Sequence, residues 1–260
     1  MSDFRLRPIL LPTIAVIVLL VLWQYGIQWL EVPAYLVPTP LAVLAALKRG
    51  LIDGVLWPDI AMTFSALMIG YIVGCTAALI VAGAVSEYAP IDETLYPLIV
   101  AFQSVPKVAL APVLTVWFGF DMASKVVMVA LICFFPCFVN AVIGLKSCNP
   151  NLVDLYRAFG AGRRQIFFAV KLPSAINSIF AGLEISFVLA MLGAVIAEFV
   201  AARRGLGHAI AASMVDFNVA MMFACIVILS AIGVIGSQLI TIARRRIAFW
   251  DQGNATSVTV

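Results

Sequence analysis

Residues 149–173 read NPNLVDLYRAFGAGRRQIFFAVKLP, a polar island between strongly apolar runs. Arg157, Arg163, Arg164 and Lys171 lie within it, Lys146 stands just upstream, and Asp154 is its single acid. Asn149 followed by Pro150 makes a helix start: a capping side chain, then a proline whose missing N–H costs nothing at the first helical position. Leu152, Leu155, Tyr156 and Phe159 recur at i, i+3, i+4 and i+7, one apolar stripe on a short helix. Gly160-Ala161-Gly162 stops that helix, a second is expected to begin near Arg163, and Leu172-Pro173 marks a bend into the next apolar run. A short helix outside the bilayer with an exposed apolar stripe needs a cover. It either lies on the membrane surface with its basic residues on lipid phosphates, or docks into a groove of a partner protein.

Outward from this island the chain is membrane-like. Of its 260 residues, 64% are hydrophobic and 11% charged, far from the balance of a soluble domain. A run of about 20 apolar residues crosses a bilayer, and six such runs are expected, at 9–30, 60–84, 91–118, 123–145, 174–199 and 218–242. The chain therefore reads as one all-α polytopic membrane domain over 1–260, with a polar, disordered tail at 251–260. The first run follows Arg5 and Arg7 and lacks a small-residue cleavage site, so it reads as an anchor rather than a signal peptide. Trp23, Tyr25 and Trp29 close it with aromatics suited to an interface. A connector from Glu31 to Pro58 carries a short helix-like segment at 41–52.

Within the runs, Gly70-x-x-x-Gly74 with Ala78 and Ala82 puts small residues on one face, which lets helices pack closely. The run 91–118 is interrupted by Pro97, Pro106 and Pro112, with Gln103, Ser104 and Lys107 among them. It is either a proline-kinked packing helix or a broken helix lining a cavity. The five cysteines form no disulfide framework, and with His208 the only histidine no metal centre is expected. A net charge of +3 makes no case for a nucleic-acid partner. No phosphate-binding loop, nucleophile elbow or paired-histidine metal motif occurs, so no catalytic residue is assigned. Three classes remain open at this point: a transporter subunit powered by another chain, a different transporter or channel, and an intramembrane enzyme.

Basic residues set the expected orientation. With six spans and the N-terminus inside, ten of the sixteen Lys and Arg fall inside: Arg5, Arg7, Lys146, Arg157, Arg163, Arg164, Lys171 and Arg244 to Arg246. The other six, Lys48, Arg49, Lys107, Lys125, Arg203 and Arg204, fall outside or near the outer boundary. The bias puts both termini and the 146–173 loop in the cytoplasm.

Ala158, Gly160, Ile166 and Leu172-Pro173, in the frame DLYRAFGAGRRQIFFAVKLP, resemble the cytoplasmic signature loop of ABC importer permeases. That loop opens on an acid-Ala-Ala start, from which Tyr156-Arg157-Ala158 departs, although Arg157 and Gly160-Ala161 match the Ala-Arg-x-x-Gly-Ala form of some subfamilies. PKVALAPVLTVWFG at 106–119 and GAVIAEFVAARRGLGHAI at 193–210 extend the resemblance over residues 38–245, to permeases of the nitrate/sulfonate/taurine type. The resemblance implies a type I importer permease fold in the bacterial inner membrane, working by alternating access. It also implies three protein partners: ABC ATPase subunits that bind the ATP and Mg this chain does not, a second permease subunit, and a periplasmic or lipid-anchored solute-binding protein. On this footing Asp154, Leu155, Tyr156, Arg157, Ala158, Phe159 and Gly160 are expected to meet the ATPase. Glu198, Arg203 and Arg204 are expected to face the binding protein.

The translocation pathway is assigned to Gln103, Ser104, Asn177, Glu184 and Met191. Asn177, Glu184, Met191 and Glu198 recur every seven residues and drift only about 20° per step, one polar-leaning stripe on the fifth span. Gly182, Ser186 and Gly193 lie on the opposite side, suited to close packing. Counted from the start of its run, Glu184 lies roughly 15 Å deep, near the midplane. The family often has a basic residue at that place, so an acid there favours a neutral or cationic solute over a sulfonate or nitrate. The alternative is a Glu184 paired with Lys107 or protonated against a carbonyl.

Overall fold

The computed structural model describes residues 7–248, so Arg5 and the tail 251–260 lie outside the described residues. These residues form eleven α-helices and no strand. A 23-residue helix α1 (Arg7–Trp29) comes first. The connector folds into α2 (Pro40–Leu51), capped by Thr39, whose hydroxyl accepts from the Ala42 amide. Then comes α3 (Trp57–Glu87), whose first turn holds Pro58 and Asp59, a proline that needs no donor and an acid that suits the helix dipole. Its 31 residues span about 46 Å, well beyond a hydrocarbon core of about 30 Å.

The run 91–118 is broken. Helix α4 (Ala89–Gln103) and a 3₁₀ turn (Lys107–Leu110) leading into α5 (Ala111–Phe118) meet at 87°. The stretch is therefore a broken helix rather than a merely kinked one. Pro106 explains where it breaks, because it removes a backbone donor, and Pro112 suits the first turn of α5. Helix α6 (Met122–Lys146) is the central post, packed between α3 and α9.

The polar island gives α7 (Pro150–Ala158), started by the Asn149 side chain accepting from the Asn151 amide, and α8 (Arg163–Ile166). Gly160 adopts φ +80°, the left-handed conformation in which only glycine is unstrained, and ends α7. The helix does not break at Pro173. A π-helical turn, Phe167–Lys171, runs straight into α9 (Leu172–Ala201), with the Leu172 amide bonding back to the Phe167 carbonyl. The wider turn accommodates the proline ring, so Arg163–Val200 is one apolar rod of 38 residues. Helices α10 (Leu206–Val215) and α11 (Val219–Ile247) complete the chain.

Four rods, Trp57–Glu87, Met122–Lys146, Arg163–Val200 and Val219–Ile247, are long and apolar enough to cross a membrane, and the bent pair makes a fifth if it counts as one span. Of the first expected span, Thr13–Trp29 is a shorter apolar helix. Close packing comes from missing side chains. A Cβ on Gly74 would stand 2.5 Å from the Ala130 carbonyl oxygen and the Cys133 sulfur, so the small face of α3 serves α6 within the same chain. A Cβ on Gly182 would meet Asn140 at 2.8 Å, and Ser186 donates to the Cys133 carbonyl at 2.8 Å. The expected packing face of α9 is thus the one that meets α6, with Gly193 beside Val129 and Ile132.

Antiparallel rods leave two poles. One holds the C-terminal ends of α3, α6 and α11 with α7 and α8, stitched by Lys146–Asp92 (2.6 Å) and Lys171–Glu87 (2.5 Å). The other holds the N-terminal ends of α3 and α6, the end of α9, and α10.

Candidate functional site

At the first pole α7 carries its apolar stripe uncovered. Leu152, Leu155 and Tyr156 are exposed, and Phe159 is 82% exposed. The helix touches the rest of the chain chiefly through α8. Arg157 is engaged with Asp154 at 3.3 Å, an exposed pair of little energetic weight. Beside it, Arg163 stands over the Tyr88 ring at 5.2 Å and lines, with Arg164, Phe167 and Phe168, a cavity of about 440 Å³. The residues expected to meet an ATPase therefore form one exposed surface, apolar along the stripe and basic at its flank.

At the opposite pole lies a polar clasp whose centre is buried and whose outer member, Asp59, is half-buried. Glu198 is 1% exposed, and its carboxylate accepts from the Thr63 hydroxyl (2.9 Å) and the Gly207 amide (2.8 Å). Lys125, also buried, lies 3.6 Å from Glu198 and donates to the Arg204 carbonyl at 2.7 Å. The Leu206 amide donates to Thr63, and the Gly205 amide to Asp59, both at 2.8 Å. Gly205 has φ +134°, and any side chain there would collide with the Glu198 carboxylate. Every buried side-chain donor and acceptor among the described residues has a partner. Such a cluster fixes the turn into α10 against α3, α6 and α9.

This placement corrects the reading of Glu198 as a docking residue: enclosed by Thr63, Lys125 and Gly207, it has no surface to offer. Arg203 and Arg204 do stay exposed beside it. Sequence reasoning missed Asp59, Thr63 and Lys125. Asp59 and Thr63 sit four apart on one helical face, and the glycines of Gly205-Leu206-Gly207 were the available sign that something would pack onto that backbone.

The five pathway residues separate. Gln103 and Ser104 sit at the α4–α5 break with exposed side chains. Glu184 and Met191 face α11 instead. Thr241 donates to Glu184, Arg244 lies 3.9 Å from it, and the Met191 sulfur packs against Gly233. Asn177 lies half-buried on α9. The partners of Glu184 lie on α11, while its neighbours Gly182 and Leu183 meet Pro136 of α6 and Tyr71 of α3, so it sits near the middle of the rods. Its partner is Arg244, not Lys107. With its charge answered inside the chain, Glu184 no longer argues for a neutral or cationic solute.

An all-α membrane bundle with an exposed apolar helix at one pole and a clasped re-entry at the other has the build of a transporter's membrane subunit. Comparison with known proteins makes the class specific. Residues 70–249 match the family described as binding-protein-dependent transport system inner membrane component, and the chain belongs to that family of ABC importer permeases. It is 33% identical to the formylaminopyrimidine transport permease protein of Halalkalibacterium halodurans, over 86% of this chain and 89% of that one. It is 32% identical to the riboflavin transport system permease protein of Chloroflexus aurantiacus, over 92% and 89%. The taurine transport system permease protein of Escherichia coli is 28% identical, over 92% and 88%. Among solved structures, a chain of the inward-facing methionine ABC transporter shares the fold, with a TM-score of 0.58 at 23% identity over 75% of this chain and 93% of that one. The chain is thus a multi-pass permease with the type I importer fold, and members of its family are translocation subunits rather than enzymes.

Proposed function

We propose that this chain is the translocation subunit of a bacterial inner-membrane importer that moves a small solute inward by alternating access. The solute is a sulfonate- or nitrate-like anion or a vitamin-precursor heterocycle; the names of its relatives, which mention formylaminopyrimidine, riboflavin and taurine, support the sulfonate and heterocycle classes. The observation that carries this reading is the uncovered stripe Leu152, Leu155, Tyr156 and Phe159 on α7. A helix laid with its apolar face into a groove of a soluble partner is a recurrent recognition mode. Here the partner is an ATPase subunit, which binds ATP and Mg and hydrolyses the nucleotide. Asp154 flanks the stripe and Arg157 serves as its polar anchor, and Ala158 and Gly160 let the end of the helix approach closely.

A second permease subunit covers the α4–α5 break, so that Gln103 and Ser104 line the pathway between the two. Glu184 and Met191 then hold α11 to α9 and move with that seam when the ATPases close. Asn177, on the same stripe nearer the basic pole, lies at the inner mouth. Exposed Arg203 and Arg204 meet a periplasmic or lipid-anchored binding protein. The orientation follows the charges: eight Lys and Arg at the α7 pole (Lys146, Arg157, Arg163, Arg164, Lys171 and Arg244 to Arg246) against five at the other (Lys48, Arg49, Lys125, Arg203 and Arg204). Both termini are then cytoplasmic.

The test is co-purification. A tagged chain extracted from its own bacterium in mild detergent should bring an ATPase with it. The Leu155→Asp variant should insert to the same level and come alone. An ATPase retained by Leu155→Asp would move the docking surface away from α7.

A further inference from the structure

Charged side chains at membrane depth are normally answered by other groups of the protein. Here Lys125 is answered by Glu198, and Glu184 by Arg244. Lys107 is the exception. Its ammonium stands 4.5 Å from the centre of the Phe135 ring and donates to the Gln103 carbonyl at 3.1 Å, and among the described residues no carboxylate forms an ion pair with it. Phe135 lies midway along α6, which fixes the depth. The side away from Phe135 is open, because Gln103, Ser104, Val105 and Pro106 are all exposed.

The backbone there is irregular, bent by 87° between α4 and the turn that begins at Lys107. Irregular backbone at membrane depth is tolerated only against protein or water, so this face does not meet lipid. A cation backed by an aromatic ring and facing a wet or protein-lined space attracts an anion. We propose that Lys107 is the charge-selecting contact of the pathway, for a solute bearing a carboxylate, sulfonate or phosphate group. The inference rests on the transport reading above and takes the anionic side of the choice left there. It also reverses what the charge of Glu184 suggested.

The experiment reads the sign of the field at the break without knowing the solute. Ser104→Cys is introduced together with Cys148→Ser, since Cys148 is the one described cysteine that is not buried. The full chain, with the subunits that accompany it, is placed in nanodiscs. It is treated with an anionic methanethiosulfonate (ethylsulfonate) and, separately, a cationic one (ethyltrimethylammonium). The anionic reagent is expected to react faster. Lys107→Gln should lower the anion-to-cation rate ratio roughly tenfold, and Lys107→Arg should keep it. A ratio unchanged by Lys107→Gln, or an introduced thiol that neither reagent reaches, overturns the proposal. Retention of the ATPase is scored on the same preparation. A flat ratio with the ATPase bound removes the anion site alone, and loss of the ATPase with a lysine-dependent ratio removes the transport reading alone.

Discussion

Glu198 shows how far a residue's neighbours can change its meaning. In the sequence it is the last polar group of an apolar run. In the fold it is enclosed by Thr63, 135 positions away, and by Lys125 and the Gly207 amide. No periodicity links those residues, because the contact is made by α3, α6 and the turn after α9 converging at one pole. Removing one member of a buried ion pair leaves the other uncompensated, at a cost of about 3–5 kcal/mol. Glu198→Ala should therefore lower the melting temperature in detergent strongly. The double change Glu198→Gln with Lys125→Met should be milder than the two single costs added. Gly205→Ala, whose Cβ would overlap the Glu198 carboxylate, should melt early for a different reason. Melting of all these variants at the wild-type temperature would mean the clasp is not formed. Glu184 teaches the same lesson in the other direction: the packing face opposite it was legible, but its own stripe splits, Glu184 and Met191 meeting α11 while Glu198 meets α3 and α6.

At the scale of elements, periodicity carried most of the reading. The start of α7 at Asn149-Pro150, its stripe and its stop at Gly160 stand where the residues put them. So does the small-residue face of α3 at Gly74, although that α6 would meet it was not readable. What local pattern did not reveal was geometry set by packing. Pro173 argues for a bend, yet the helix continues through it by way of the π turn; Pro106 locates the break after Gln103 without giving its 87° angle, while Pro97 sits inside α4 and breaks nothing. The stop at Gly160 is itself testable. Gly160→Pro forbids the left-handed conformation and should redirect α7 without touching the membrane rods. The chain should still insert, and its protection of α7 from proteolysis by the bound ATPase should be lost. Equal protection in Gly160→Pro and wild type would show that the helix end is not used.

For the whole molecule, composition and run length established an all-α membrane bundle, and charge established a bias between its poles. Sidedness follows from that bias and can be checked with the native thiol at Cys148. In intact cells a membrane-impermeant maleimide should leave it unlabelled, and in inside-out vesicles it should react; labelling from outside would invert the assignment. At the far pole, reversing Arg203 and Arg204 to Glu should weaken binding-protein docking more at low salt than at high, as for any exposed charge contact. Unchanged docking at low salt would put that contact elsewhere. The central claim is that α7 transmits between the rods and an ATPase. Its most direct test is ATP hydrolysis by the complex in nanodiscs, with and without loaded binding protein. The account predicts that Leu155→Asp abolishes the stimulation while the permease stays in the membrane. Stimulation at the wild-type level in that variant would contradict it.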